Sequence, residues 1–236
     1  MTRRAAFREQ AWPDDQVFAE LALDWSHSAS TQILDWLWRA FEALRAGPVA
    51  RVDFTKPLDQ LERDFTDLHF KEIQRLWAGE TGGATTFYPD HEIPEFESRQ
   101  PAPAQPPAYD LGFVLYANPR IIWPIEAKVV RKPSALTAYL ADVRDKFVAG
   151  IAAPFVGQAA MIGYLLAGEA AELFAGLETE LTQRLNHRSA FAAREHRTSF
   201  HTRGKSPFGR ELPDLLLHHL VMGTPVKTFL SRAPDR

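Results

Sequence analysis

Two apolar runs, YDLGFVLY (109–116) and IIWPIEAKVV (121–130), flank the tetrapeptide Ala117-Asn118-Pro119-Arg120. Asn-Pro marks a turn, and β-branched and aromatic residues on both sides favour extended backbone, so the pair reads as a β-hairpin. Pro124 has no amide hydrogen to give a neighbouring strand, which predicts an edge position or a bulge there. A hairpin this apolar must be buried against other elements, and the rest of the chain supplies helices.

Residues 31–46 place Ile33, Leu34, Leu37, Phe41 and Leu44 at helical spacing, with Ser30 or Thr31 as the cap and Gly47-Pro48 as the stop. Trp36 and Trp38 fall outside that stripe, which leaves them to cover a neighbouring element or a partner. Residues 57–77 form a second amphipathic helix on Leu58, Leu61, Phe65, Leu68, Ile73 and Leu76. Between the two, 49–54 reads as a short strand. Gly79, Gly82 and Gly83 mark a loop, and the prolines between 89 and 108 predict an extended surface loop. After the hairpin come a helix over 134–148, an apolar segment over 158–168, a helix over about 169–184, and late strands over 196–203 and 215–222. The expected fold is α/β, a mixed central sheet flanked by α-helices, with an N-terminal helical extension (1–55) ahead of the main domain (56–236).

The chain contains no cysteine, which excludes disulfides, thiolate zinc sites and cysteine nucleophiles, and suits a reducing cytoplasm. Neither an apolar leader nor a membrane-length apolar run is evident, so a soluble cytoplasmic protein without a membrane partner is expected. Net charge is −3, so charge as a whole gives no argument for a polyanion partner. Locally the balance differs: Arg184, Arg188, Arg194, Arg197, Arg203, Lys205 and Arg210 stand against Glu195 alone, a stretch that reads either as a basic patch or as a solvated surface.

Side chains two apart on a strand share a face, so Glu126 and Lys128 project together while Ala127 points away. Asp110 opens the preceding strand, and a hairpin can bring its carboxylate to the same edge, giving two hard oxygen ligands suited to magnesium. Beside them, an ammonium could stabilise charge on a phosphate, orient a water, or act as its base if its pKa were lowered. Glu126-Ala127-Lys128 is the only place in this chain where an acid stands two residues before a lysine. The alternative is that Glu126 and Lys128 form the solvated face of an edge strand.

Tyr109-Asp110 followed by Pro124-Ile125-Glu126-Ala127-Lys128, with an acidic helix upstream and a helix downstream, resembles the PD-(D/E)XK, or restriction-endonuclease-like, nuclease superfamily over roughly residues 57–222. That resemblance implies a restriction-endonuclease-like fold and a Mg²⁺-dependent endonuclease (Mn²⁺ as substitute). It implies ligation by Asp110, Glu126 and the Ala127 carbonyl, and a water-positioning or transition-state role for Lys128. The motif's loosely kept proline is absent at Ala108-Tyr109, a minor departure because proline donates no ligand. A helix acid often joins the site in such proteins. Glu62 is the choice here over Asp64, Asp67 and Glu72, and Gln158 stands where relatives often carry a polar active-site residue.

The pattern Ser199-Phe200-His201-Thr202-Arg203 with His218-His219 also resembles small nuclease-like proteins encoded with bacterial defence systems, implying a place in anti-phage defence. His201, Arg203, Lys205 and Arg197 are then candidate nucleic-acid contacts. His218 and His219 alternate faces and cannot both serve one metal from a regular strand. DNA is expected over RNA, for want of an aromatic RNA platform. Cutting both strands calls for two sites, hence a homodimer, or else a partner ATPase or sensor that activates the chain. The rival reading is a non-catalytic nucleic-acid-binding or scaffold protein.

Overall fold

The computed structural model describes residues 16–82, 84–95, 108–206 and 209–224. Helix α1 (Gln16–Ala46) leads through a 3-10 turn (Pro48–Arg51) to α2 (Leu58–Thr81). Strands β1 (Phe87–Pro94), β2 (Ala108–Leu115) and β3 (Ile122–Val130) follow as an antiparallel meander. Helix α3 (Thr137–Ala141) runs directly into a π-helical segment (Asp142–Val148) before β4 (Gln158–Leu165). Then come α4 (Ala170–Leu181), β5 (Asn186–His187), β6 (His196–His201) and β7 (Leu215–Gly223). The strands form one seven-stranded mixed sheet in the order β1-β2-β3-β4-β7-β6-β5, with the β3–β4 and β4–β7 pairs parallel. Among the described residues, no helix is long and apolar enough to cross a membrane.

Alternation along the strands sorts side chains onto two faces. On one face α1 and α2 pack: Trp36 stacks on Phe113 with ring centroids 5.9 Å apart, and Phe65 stacks on Tyr164 at 5.0 Å. On the other lie α3, the π segment and α4, where Tyr139 meets His219 at 5.9 Å and the Arg197 guanidinium lies 5.0 Å from the Phe174 ring centre. Both faces are therefore covered, and β4 is buried at every position.

Several expectations need correction. Helix α1 is already formed at Gln16, well before the expected cap, and Ser26, Ser28 and Ser30 lie within it, donating their hydroxyls back to the carbonyls of Leu23, Trp25 and His27. Trp36 and Trp38 are buried inside the chain, not offered to a partner. The expected strand over 49–54 is the 3-10 turn and irregular backbone, and Pro48 at its first position suits that turn. Gly79 lies within α2, and Gly82 ends it at φ 56°. The supposed loop from Pro89 is strand β1 as far as Pro94; prolines are tolerated because β1 is an edge strand. Pro101, Pro103, Pro106 and Pro107 lie outside the described residues. Pro124 sits in an interior strand, paired with Gly112 on one side and placed just before pairing with β4 begins at Ile125.

Candidate active site

Register assembles the site. Leu111 pairs with Ile125, so the adjacent Asp110 and Glu126 share the opposite face. Glu126 pairs with Met161 and Lys128 with Gly163, so both project to the face that carries α3 and the π segment. The Ala127 amide donates to Asp110 Oδ2 at 2.7 Å, fixing this carboxylate against β3.

Lys128 Nζ stands 2.8 Å from Glu62 Oε1, 2.9 Å from its neighbour's carbonyl at Ala127, 3.0 Å from Asp142 Oδ2 and 4.0 Å from Asp110 Oδ2. Glu62 reaches down from the first turns of α2, and its other oxygen accepts from the Val129 amide at 3.3 Å. A second ammonium, Lys146 Nζ, lies 2.7 Å from Glu126 Oε2 and 3.3 Å from Asp142 Oδ2. Four carboxylates and two ammonium groups thus converge where β2, β3, α2 and the π segment meet.

Burial shapes their protonation. The Glu126 carboxyl, almost wholly enclosed, is pushed up to about 8 by desolvation and by the charge of Asp110, against the pull of Lys146. Desolvation also raises Glu62, against the attraction of Lys128. Burial alone would lower the Lys128 ammonium, but Asp110, Glu62 and Asp142 together hold it above its ordinary value. That removes the condition on which Lys128 could act as a base, a lowered pKa, and leaves it a cation.

Of the expected site residues, Asp110, Glu126, Lys128, the Ala127 carbonyl and Glu62 are brought together. The competing helix acids are engaged elsewhere: Asp64 with Lys56, Asp67 with His91 and Glu72 with Arg75. Gln158 is not part of the cluster. It stands three residues before Met161, hence on the opposite face, and its Oε1 accepts from His218 Nε2 at 3.0 Å. His218 Nδ1 in turn accepts from His196 Nε2 at 3.0 Å.

The expected nucleic-acid contacts are also redistributed. Arg203 is buried, and its guanidinium donates to the carbonyls of Pro213, Phe147, Ala152, Ala153 and Val156. A guanidinium spent on five carbonyls has no donor left for phosphate. Arg197 lies over Phe174 and donates to the His196 carbonyl, and His201 Nε2 is 2.7 Å from Ser199 Oγ. Of these four, only Lys205 is exposed, and it is paired with Glu211 at 3.0 Å. His219, on the face opposite His218, joins Ser199 to Tyr139 through hydrogen bonds of 2.8 and 2.9 Å.

Asp142 and Lys146 went unnoticed in the sequence. An acid and a lysine four apart in a predicted helix look like an ordinary surface ion pair. The segment is instead a π-helix whose face bearing both side chains is turned toward the cluster, not toward solvent.

For a divalent cation, the donor set of Asp110, Glu126 and the Ala127 carbonyl is all hard oxygen and fits in kind. Among the described residues, no group of three or more acidic or histidine side chains is preassembled at metal-holding separation. Ammonium groups stand between the acids, so the cluster already accommodates positive charge. No family model, no curated protein and no solved structure matches the chain.

Proposed function

We propose that this chain is a metal-dependent nuclease of restriction-endonuclease-like fold, hydrolysing phosphodiester bonds in DNA. One observation carries the reading: Asp110 and Glu126 share a face at the β2–β3 junction, with Lys128 two residues on and Glu62 bonded to it. Asp110, Glu126 and the Ala127 carbonyl would hold Mg²⁺, which when bound supplies Lewis-acid neutralisation of the phosphate charge. Lys128 and Glu62 hold the acids and the β3 backbone in register around that point. In the reaction, a water oxygen bonds to phosphorus and one P–O ester bond breaks. The water loses a proton and the leaving oxygen gains one, giving a phosphate monoester and a hydroxyl end.

The internal pairing of every charged group in the cluster favours a second reading, a nucleic-acid-binding or scaffold protein of the same fold without the reaction. Purified full-length chain incubated with plasmid, linear duplex and single-stranded DNA, with and without Mg²⁺ or Mn²⁺, separates the two. Metal-dependent cutting that disappears in both Asp110→Ala and Lys128→Ala supports the nuclease. Binding without cutting in the wild type supports the alternative.

A further inference from the structure

We infer that Lys146, in addition to Lys128, is a side chain that meets the scissile phosphate, an assignment that rests on the nuclease reading. An ammonium carries three N–H groups. Around Lys128 Nζ three oxygens stand within 3.0 Å, those of Glu62, Ala127 and Asp142. Two of its N–H groups are bonded, to Glu62 and the Ala127 carbonyl, while Asp142 Oδ2 is an ion-pair contact that accepts no hydrogen bond. Lys146 Nζ donates to one oxygen, Glu126 Oε2, and lies 3.3 Å from Asp142 Oδ2 without a hydrogen bond, so it keeps more N–H capacity for a further acceptor than Lys128 does.

Access favours the same lysine. The Lys146 side chain is 30% exposed against 16% for Lys128, and it enters from the helical layer, not from the sheet floor. A phosphate approaching Glu126 from solvent therefore meets the Lys146 ammonium first. Asp142 lies between the two ammonium groups, 3.0 Å from one and 3.3 Å from the other, and separates their positive charges. Tyr139, one turn earlier, anchors the segment through its hydroxyl, 2.9 Å from His219 Nδ1 and 3.3 Å from the Met161 carbonyl. Lys146 then bonds a non-bridging phosphate oxygen and stabilises the charge that gathers there as the new P–O bond forms.

The test uses the full chain as wild type, Lys146→Met and Lys146→Arg, with urea midpoints measured to show that all three fold. In EDTA, a fluorescently labelled DNA duplex is titrated at several NaCl concentrations. Loss of one phosphate contact lowers the slope of log K against log salt by about 0.9 in Lys146→Met, and Lys146→Arg restores it. In Mg²⁺, Lys146→Met loses about 100-fold or more in kcat with little change in KM, the size expected for removing one charge-stabilising donor.

An unchanged slope with reduced kcat overturns the inference, because Lys146 would then act only through Glu126. A reduced slope with unchanged kcat overturns it too, placing the contact at another phosphate. A wild type that binds the duplex and cuts nothing with either metal fails the nuclease reading instead, and the salt slope alone then decides whether Lys146 meets a phosphate.

Discussion

Arg203→Ala should lower global stability by about 3–5 kcal/mol, the cost of breaking a buried charged network. Its guanidinium donates Nε–H to Pro213 at 2.7 Å, Nη1 to Phe147 at 3.0 Å and Ala152 at 3.5 Å, and Nη2 to Ala153 at 3.0 Å and Val156 at 3.2 Å. These bonds tie the connection between the π segment and β4 to the approach of β7. A hydrogen bond to a charged donor contributes about 1.5–3 kcal/mol, but five cannot simply be added, since water entering the truncated site rehydrates some of the carbonyls. With a urea slope of about 2–3 kcal/mol/M the midpoint should fall by about 1.5 M. Arg203→Lys should recover less than half of that, because an ammonium offers three donors in place of five. Equilibrium urea denaturation followed by tryptophan fluorescence reads both values. A midpoint within about 0.3 M of wild type would refute the structural role. So would a well-folded Ala variant whose DNA salt slope drops by about 0.9, since that would put the guanidinium on phosphate.

Acid should destabilise the fold through its enclosed imidazoles. Burial lowers His69 to about 4 and His196 and His219 to about 3, and His218 goes down as well. A depressed histidine contributes stability that is full above its unfolded value of about 6.5 and is lost as pH falls toward the folded value, roughly 2 kcal/mol each by pH 5. Glu126, raised to about 8, works in the opposite direction between about 8 and 4.5, and offsets roughly one histidine. The melting temperature should therefore fall between about pH 6.5 and 5, and a flat or rising profile in differential scanning calorimetry would count against neutral buried histidines. Gln158→Ala should cost about 1–2 kcal/mol by leaving His218 Nε2–H without its acceptor, while the rate of metal-dependent cutting stays within about threefold of wild type. A large loss of rate with unchanged stability would return Gln158 to the site.

What was legible in the sequence depended on whether local spacing determined position. Glu126 and Lys128 could be placed on one face because a strand's period is fixed at two, and Asp110 followed once a short turn set the hairpin register. Glu62 was harder. Choosing it over Asp64, Asp67 and Glu72 depended on which part of α2 approaches β3, a tertiary fact that the helix pattern does not contain. Gln158 shows the reverse: a polar residue at the head of an apolar strand invited a place in the site, but the parallel register three residues out of step sent it to the opposite face. Arg203 and its basic neighbours misled for a related reason, since charge in a sequence is silent about whether its partners are water, phosphate or buried carbonyls.

Asp142 and Lys146 were invisible on different grounds. Their spacing of four is a common surface pairing on a helix, and nothing in it tells that this face packs over β3. Which way that helical face turns therefore determines whether the site holds one ammonium or two.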